Sequence, residues 1–358
     1  MSTLTRYLNR MLLARFLAAL LGLWAFAMLF DLLDVADELL AHGGGALEVL
    51  RYAALRTPSL LGELLPMAAV LAALFLMADL LRHSELPVIW GAGVSPGGVM
   101  RRLWPACLLL LALKLGNDDL AVPRTIDALR AWGVGDFKSA GPGLDVGRLW
   151  LRQGDAVLRL PVAGPATGGS DGFLAFRLGG DGNLVERVVA ARARLEGGSW
   201  HLEGVTRQGV GNGSPIGKEA AALWPNRVAA DRLAVLARPP QELGLLDLAD
   251  IIRHDGYGVA VVQSQRTAFW HRLFGAFVPT LLVLLAAALA TRFRRRGMIG
   301  PLFMKGLGAG FFYIIASGIA VALAEAGFVA PIVGTGLPAL VLLAAVVLLS
   351  RRARRLPA

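Results

Sequence analysis

The chain offers few groups suited to covalent chemistry, and their spacing argues against each reaction in turn. A phosphate-cradling loop needs glycines that turn backbone N–H groups toward the phosphates, then Lys, then Ser or Thr to hold magnesium. The nearest stretch, Gly211-Asn212-Gly213-Ser214-Pro215-Ile216-Gly217-Lys218-Glu219, has Asn212 where the first glycine belongs and Glu219 where the hydroxyl belongs. It reads as a loop. The five histidines, His42, His83, His201, His254 and His271, form no i, i+4 pair and have no cysteine nearby, so no metal site is expected. Cys107 is the only cysteine, which excludes a disulfide framework. Ser317 lies in an apolar run with no histidine at similar depth in another. The chain is therefore not read as an enzyme, and no catalytic residue is assigned.

Charged side chains within apolar stretches are the default functional candidates of a membrane protein. Lys114 stands one helical turn before Asp118, which suits either a salt bridge closing a helix or a substrate contact. Asp79 and Arg82 are spaced to pair along one helix. Gly306 and Gly310, with Ser317 and Gly318, permit close helix contact. The segment 82–102 is more informative. Glu85-Leu86-Pro87-Val88-Ile89-Trp90 has an apolar side and a single acid, Gly91-Ala92-Gly93-Val94-Ser95-Pro96 turns the chain, and Val99-Met100-Arg101-Arg102-Leu103 enters the next apolar run. Such a segment suits an interfacial helix or a docking surface for another protein.

The elements that must position these groups are long and apolar. Of 358 residues, 56% are hydrophobic and only 17% charged, against about 25% charged in ordinary soluble domains. Six stretches suit helices that cross a bilayer, roughly 12–30, 56–78, 103–120, 269–290, 302–324 and 331–349. Between the third and fourth lies a Gly-, Arg- and Asp-rich region of short alternating runs, 149–151, 156–161, 173–178, 184–190, 191–196 and 200–205, with a Gly197-Gly198 hairpin turn. Many short strands with frequent turns favour a sandwich or jelly roll. After Pro239-Pro240, the residues 243–253 have helical spacing.

Charge placement then gives a topology. The middle region, 117–266, holds 17 basic and 17 acidic residues and is neutral, so the +10 excess lies on the apolar parts. Fifteen of the 19 basic residues there fall in four blocks: Arg6, Arg10 and Arg15; Arg82, Arg101 and Arg102; Arg292, Arg294, Arg295, Arg296 and Lys305; Arg351, Arg352, Arg354 and Arg355. These are the N-terminus, alternate loops and the C-terminus, which six crossings put on one side. Positive loops stay cytoplasmic, so both termini are expected inside and the middle region outside. A nucleic-acid surface is not expected, because the region that would carry it is neutral. Arg6, Arg10 and Ala25-Phe26-Ala27 have some signal-peptide character, but the apolar run is long and an uncleaved first helix preserves the charge alternation. The chain thus reads as a six-helix membrane protein with an inserted extracytoplasmic all-β, jelly-roll-like domain: 1–120 with a cytoplasmic loop at 82–102, 121–262 as the β domain, and 263–358.

At this point the sequence resembles the lipopolysaccharide-export permease family LptF/LptG, also called YjgP/YjgQ, over nearly its whole length. The residues that carry the likeness are Arg6-Tyr7-Leu8, Phe30-Asp31-Leu32-Leu33-Asp34, Pro58 with Glu63-Leu64-Leu65-Pro66, Ser84-Glu85-Leu86 through Gly91-Ala92-Gly93-Val94-Ser95, Val189-Ala190-Ala191-Arg192-Ala193 with Trp200-His201-Leu202, and Pro240-Gln241-Glu242-Leu243. The segments 30–34 and 63–66 look more like LptG. The resemblance implies a bacterial inner-membrane subunit of an ABC-type exporter, with residues about 121–262 periplasmic. It would pair with a sister LptF-like permease around a cavity lined by helices one, two and five. A cytoplasmic LptB-like ATPase dimer, which holds the ATP and magnesium, would drive it, so the chain itself needs no cofactor. Lipopolysaccharide would pass from the membrane to LptC/LptA-like bridge proteins. The inner loop becomes the ATPase-coupling segment, with Ser84, Glu85, Leu86 and Gly93. Arg51, Arg56, Lys114, Phe26, Phe30 and Phe312 become lipid contacts, although several family members place Lys where this chain reads 27–31 and 57–59. The other class of function open to such a sequence is a membrane-anchored scaffold or signalling subunit whose β domain binds a partner protein without moving lipid.

Overall fold

A backbone that must satisfy its own N–H and C=O groups in an apolar environment becomes helix, and Leu-, Ala- and Val-rich runs fill this chain. A computed structural model of the protein describes residues 3–41, 45–134, 148–161, 170–196, 198–209, 215–226, 228, 230–236, 238–258, 262–291 and 299–354. In chain order these form helices α1 (Thr3–Ala41), α2 (Ala46–Arg82), α3 (Glu85–Gly91), α4 (Pro96–Arg102), α5 (Trp104–Gly116) and α6 (Val122–Trp132), with a π-helical turn at Asn117–Ala121 between the last two. Strands β1 (Arg148–Gln153), β2 (Ala156–Pro161), β3 (Ser170–Leu178), β4 (Leu184–Glu196), β5 (Ser199–Gly209) and β6 (Pro215–Pro225) follow. Helices α7 (Ala230–Leu236), α8 (Leu245–Arg253), α9 (Val262–Gly275), α10 (Val278–Ala290), α11 (Ile299–Glu325) and α12 (Pro331–Arg354) complete the order. The chain divides into two compact units, 1–136 with 267–358, and 137–266.

In the helical unit, α2 is the axis. It packs on α1, α6, α10 and α11, and Leu65, Ala68, Ala69, Val70, Ala72, Ala73, Leu74, Leu76, Met77 and Leu80 are wholly or almost wholly buried. Gly306 of α11 makes this approach possible, since a Cβ there would fall 2.4 Å from Leu74 Cδ2. Gly310 has Val70 as its nearest neighbour across the same contact, whereas Gly318 faces open space. By contrast α1 and α11 leave apolar side chains outward, among them Leu17, Leu21, Leu29, Leu33, Phe311, Ile315 and Ile319.

Among the described residues four helices are long and apolar enough to cross a membrane, namely α1, α2, α11 and α12, and five if α9 and α10, bent by 42°, count as one broken span. The expectation of six differs at the third stretch, 103–120. There α5 has only 13 residues, roughly 20 Å of helix at 1.5 Å per residue, and passes through the π-helical turn into α6. Two spans also run further than their apolar cores. Beyond their apolar cores α1 and α2 stay paired, and Asp31 accepts from Tyr52 and Arg56 across the pair at 2.8 and 3.0 Å. The basic residues Arg292, Arg294, Arg295, Arg296 and Arg355 lie outside the described residues.

The second unit carries one six-stranded sheet, antiparallel throughout, with its strands in the order β1-β2-β3-β4-β5-β6. That is a meander. The crossover of a two-sheet jelly roll is not among the described residues, because each strand pairs with the next in sequence. The two runs expected at 184–190 and 191–196 are the single strand β4. Along it Glu186, Val188 and Ala190 are buried, and then Ala193 takes over on the opposite parity. On β5 the switch runs from Trp200 and Leu202 to Val205. Gly204 sits at the switch with φ +65° and faces Ala191, where a Cβ would come within 3.0 Å of Ala191 Cβ. The sheet therefore curls, and Phe173 reaches the rings of both Trp200 and Trp224, at 6.3 and 5.9 Å. Strand β6 was not expected from the sequence, and it takes residues 215–219 out of the supposed loop. Residues 211–214 and Gly197 lie outside the described residues.

Candidate functional site

The segment between α2 and α5 is built around Glu85. Ser84 adopts a left-handed conformation, φ 58°, and so breaks α2 from α3. Glu85 opens α3, with Leu86 beside it buried to 2% exposure in the helical core and Val88 turned out at 69%. Helix α3 ends in a Schellman motif, in which Val94 N–H donates to Ile89 O at 3.2 Å and Gly93 N–H to Trp90 O at 3.0 Å. Gly93 supplies the positive φ, +85°, that this cap requires. Ser95 then caps α4, its Oγ accepting from Gly98 N–H at 3.1 Å, with Pro96 in the first turn. The four residues expected to form a coupling segment thus have separable tasks: Ser84 and Gly93 shape the backbone, Leu86 anchors it, and Glu85 presents a carboxylate.

Three polar residues of α1 meet this segment or the end of α2 that precedes it, and their roles are invisible in local spacing. The Tyr7 hydroxyl donates to Glu85 Oε2 at 2.8 Å. Arg15 donates to the Asp79 carboxylate and to Met11 O, so Asp79 is engaged by α1 rather than by Arg82 as its spacing suggested. Asn9, only 7% exposed, joins three backbone groups. Its amide nitrogen donates to Thr5 O at 2.6 Å and to Arg102 O at 2.7 Å, while its Oδ1 accepts from Ala106 N–H at 2.8 Å. Arg102 O closes α4 and Ala106 N–H belongs to the first turn of α5, so one side chain satisfies both ends of a helix break.

The other end of the helical unit holds the residues expected to meet lipid, and the three cations are already engaged there. Arg56 pairs with Asp31 and donates to Ser59 Oγ at 3.1 Å. Lys114 pairs with Asp118 at 2.5 Å and donates to Gly62 O at 2.7 Å. The second bond has a cause in the sequence: Pro66, four residues on, has no N–H to give that carbonyl. Asn117 adds a bond to Pro58 O at 2.8 Å, and Arg272 donates to Asp118 O at 2.6 Å. The Arg51 guanidinium lies 4.5 Å from the Trp132 ring centre. Phe26 and Phe30 touch on one face of α1 with ring planes tilted by 60° and centroids 4.9 Å apart, and together with Phe312 of α11 they are more than half exposed. Among the described residues no group of three His, Cys, Asp or Glu is placed to hold a metal ion.

Comparison with known proteins matches residues 6–352 to the family model described as lipopolysaccharide export system permease LptF/LptG. The chain is 23% identical over 346 residues to the lipopolysaccharide export system permease protein LptG of Escherichia coli (strain K12), covering 94% of each. It is 21% identical over 329 residues to the protein of that name from Haemophilus influenzae, covering 88% of each.

Proposed function

The chain belongs to the LptF/LptG family of lipopolysaccharide export permeases and is more like LptG, and from that premise we propose that it is the LptG-like subunit of an ABC-type lipopolysaccharide exporter of the bacterial inner membrane. The match over residues 6–352 carries this reading, because it takes in the helices, the inner segment and the β unit together. The subunit pairs with an LptF-like sister chain, both termini lie in the cytoplasm, and residues about 121–262 are periplasmic. Hydrolysis of ATP with magnesium belongs to an LptB-like partner, and the β unit hands lipid to LptC/LptA-like bridge proteins.

In this scheme the inner segment with Ser84, Glu85, Leu86 and Gly93 is where the ATPase acts. Glu85 is the first acid of α3, partly exposed and oriented by Tyr7, and a carboxylate so held forms a short, charge-assisted bond with a basic residue of a partner. Because Tyr7 and Asn9 belong to α1, displacement of the segment moves the helix that bears Phe26 and Phe30, the aromatic surface for acyl chains with Phe312. Lipid phosphates are met by Arg51, Arg56 and Lys114. Arg51, exposed and stacked on Trp132, reaches them with the least rearrangement, whereas Arg56 and Lys114 must share their carboxylates' hold.

The test is purification of the full chain with whatever partners it retains. A stoichiometric cytoplasmic ATPase is expected to accompany it. Glu85→Lys is expected to leave insertion intact while lipid release per ATP falls about 10- to 100-fold, the worth of one charge-assisted bond. Absence of any ATPase, or full release by the Glu85→Lys complex, would overturn the proposal.

A further inference from the structure

Away from the residues assigned above, a groove of about 500 Å³ opens between α4, α5, α10 and α12. Its walls are apolar, formed by Trp104, Leu108, Phe277 and Leu284, with Arg101 and Ser350 at one end. The two hydroxyls in its lining are turned back into the helices, Thr280 donating to Cys107 O at 2.9 Å and Ser350 to Val347 O at 2.9 Å. The wall therefore asks nothing polar of an occupant.

The rim differs. Arg101 is exposed and makes no hydrogen bond or ion pair among the described residues, and exposed Arg351 and Arg352 follow Ser350 directly, on a helix that touches α4. Among the described residues no carboxylate lines the groove. Trp104, 55% exposed at the start of α5, has the amphipathic ring that settles at a bilayer's headgroup level. From Trp104 to Leu111 the groove follows α5 for roughly 10 Å, a distance comparable with one leaflet, half of a ~30 Å hydrocarbon core.

We propose that this groove is a binding site for an anionic glycerophospholipid of the leaflet on the Arg101 side, with one acyl chain along α5 and α10 and the headgroup phosphate held by Arg101, Arg351 and Arg352. Charge complementarity selects the occupant: three arginines without carboxylates favour an anionic over a zwitterionic headgroup, and basic clusters beside transmembrane helices act in this way. The site lies at the opposite end of the helical unit from Arg51, Arg56 and Lys114, so it is not part of the proposed export path.

The full chain, with its native partners, is reconstituted in nanodiscs of phosphatidylcholine containing a phosphatidylglycerol with a photoreactive diazirine midway along one acyl chain. After irradiation, labelled peptides are mapped. Labelling of α5, α10 and α12 is expected, stronger than that from the same diazirine on phosphatidylcholine. Arg101→Ala should weaken it about fivefold, since a basic residue at the membrane surface contributes about 1 kcal/mol. Leu108→Trp, which fills the groove and keeps every arginine, should abolish it. Equal labelling by both lipids would show a non-selective apolar surface, crosslinks from these helices to a second protein chain would show a protein interface, and displacement by lipopolysaccharide would assign the groove to the exported lipid. Any of the three overturns the proposal.

Discussion

Lys114 shows how one residue's meaning depends on its partners. In sequence it is a cation in an apolar run, open to a lipid phosphate, but in the structure it serves Gly62 O, left short by Pro66, and pairs with Asp118. Removing one member of a partly buried pair exposes the other to an unmatched environment. Lys114→Met should therefore lower stability by roughly 1–3 kcal/mol, and Lys114→Met with Asp118→Asn should recover part of it. Thermal midpoints of the solubilised complex measure this. If the single variant melts like the parent, the pair adds nothing to stability and the residue's role is lipid contact alone. Arg56 and Asp31 follow the same logic between α1 and α2.

At the scale of elements, the joint between α4 and α5 is the informative feature. A helix break buried beneath α1 leaves a carbonyl and an N–H without helical partners, and Asn9 meets both. Asn9→Ala should cost about 1–3 kcal/mol, because two buried backbone groups lose their partners. Asn9→Asp keeps the acceptor for Ala106 N–H but sets a buried carboxylate oxygen against Thr5 O and Arg102 O, two acceptors, and should melt no higher than Ala. Equal melting of all three would mean that water replaces the amide. Helix existence was legible from apolar run lengths, and the α3 turn from Gly91-Ala92-Gly93. Strand β6 was not, because Lys218-Glu219-Ala220-Ala221-Ala222-Leu223 has helical propensity and becomes strand only by pairing with β5, a tertiary override of local preference.

For the whole molecule, the charge pattern and the division into two compact units yield a test of orientation. The single native cysteine, Cys107, is buried and should give little background with maleimides. Val185→Cys, on the exposed side of β4, is expected to react with a membrane-impermeant maleimide in cells with a permeabilised outer membrane. Val88→Cys, on the exposed side of α3, should react only once the inner membrane is breached. The reverse pattern would invert the proposed topology. Run length and alternation, which are properties of neighbouring residues, were enough to read a chain of long apolar helices with a β insertion, and the order of short motifs such as Ser84-Glu85-Leu86 carried the family resemblance. The tertiary structure alone decided that Asp79 serves Arg15, that Tyr7 orients Glu85, that Asn9 closes a helix break and that the sheet is a curled meander. Those pairings join residues far apart in the chain, and only the approach of one packed element to another brings their polar atoms within hydrogen-bonding distance.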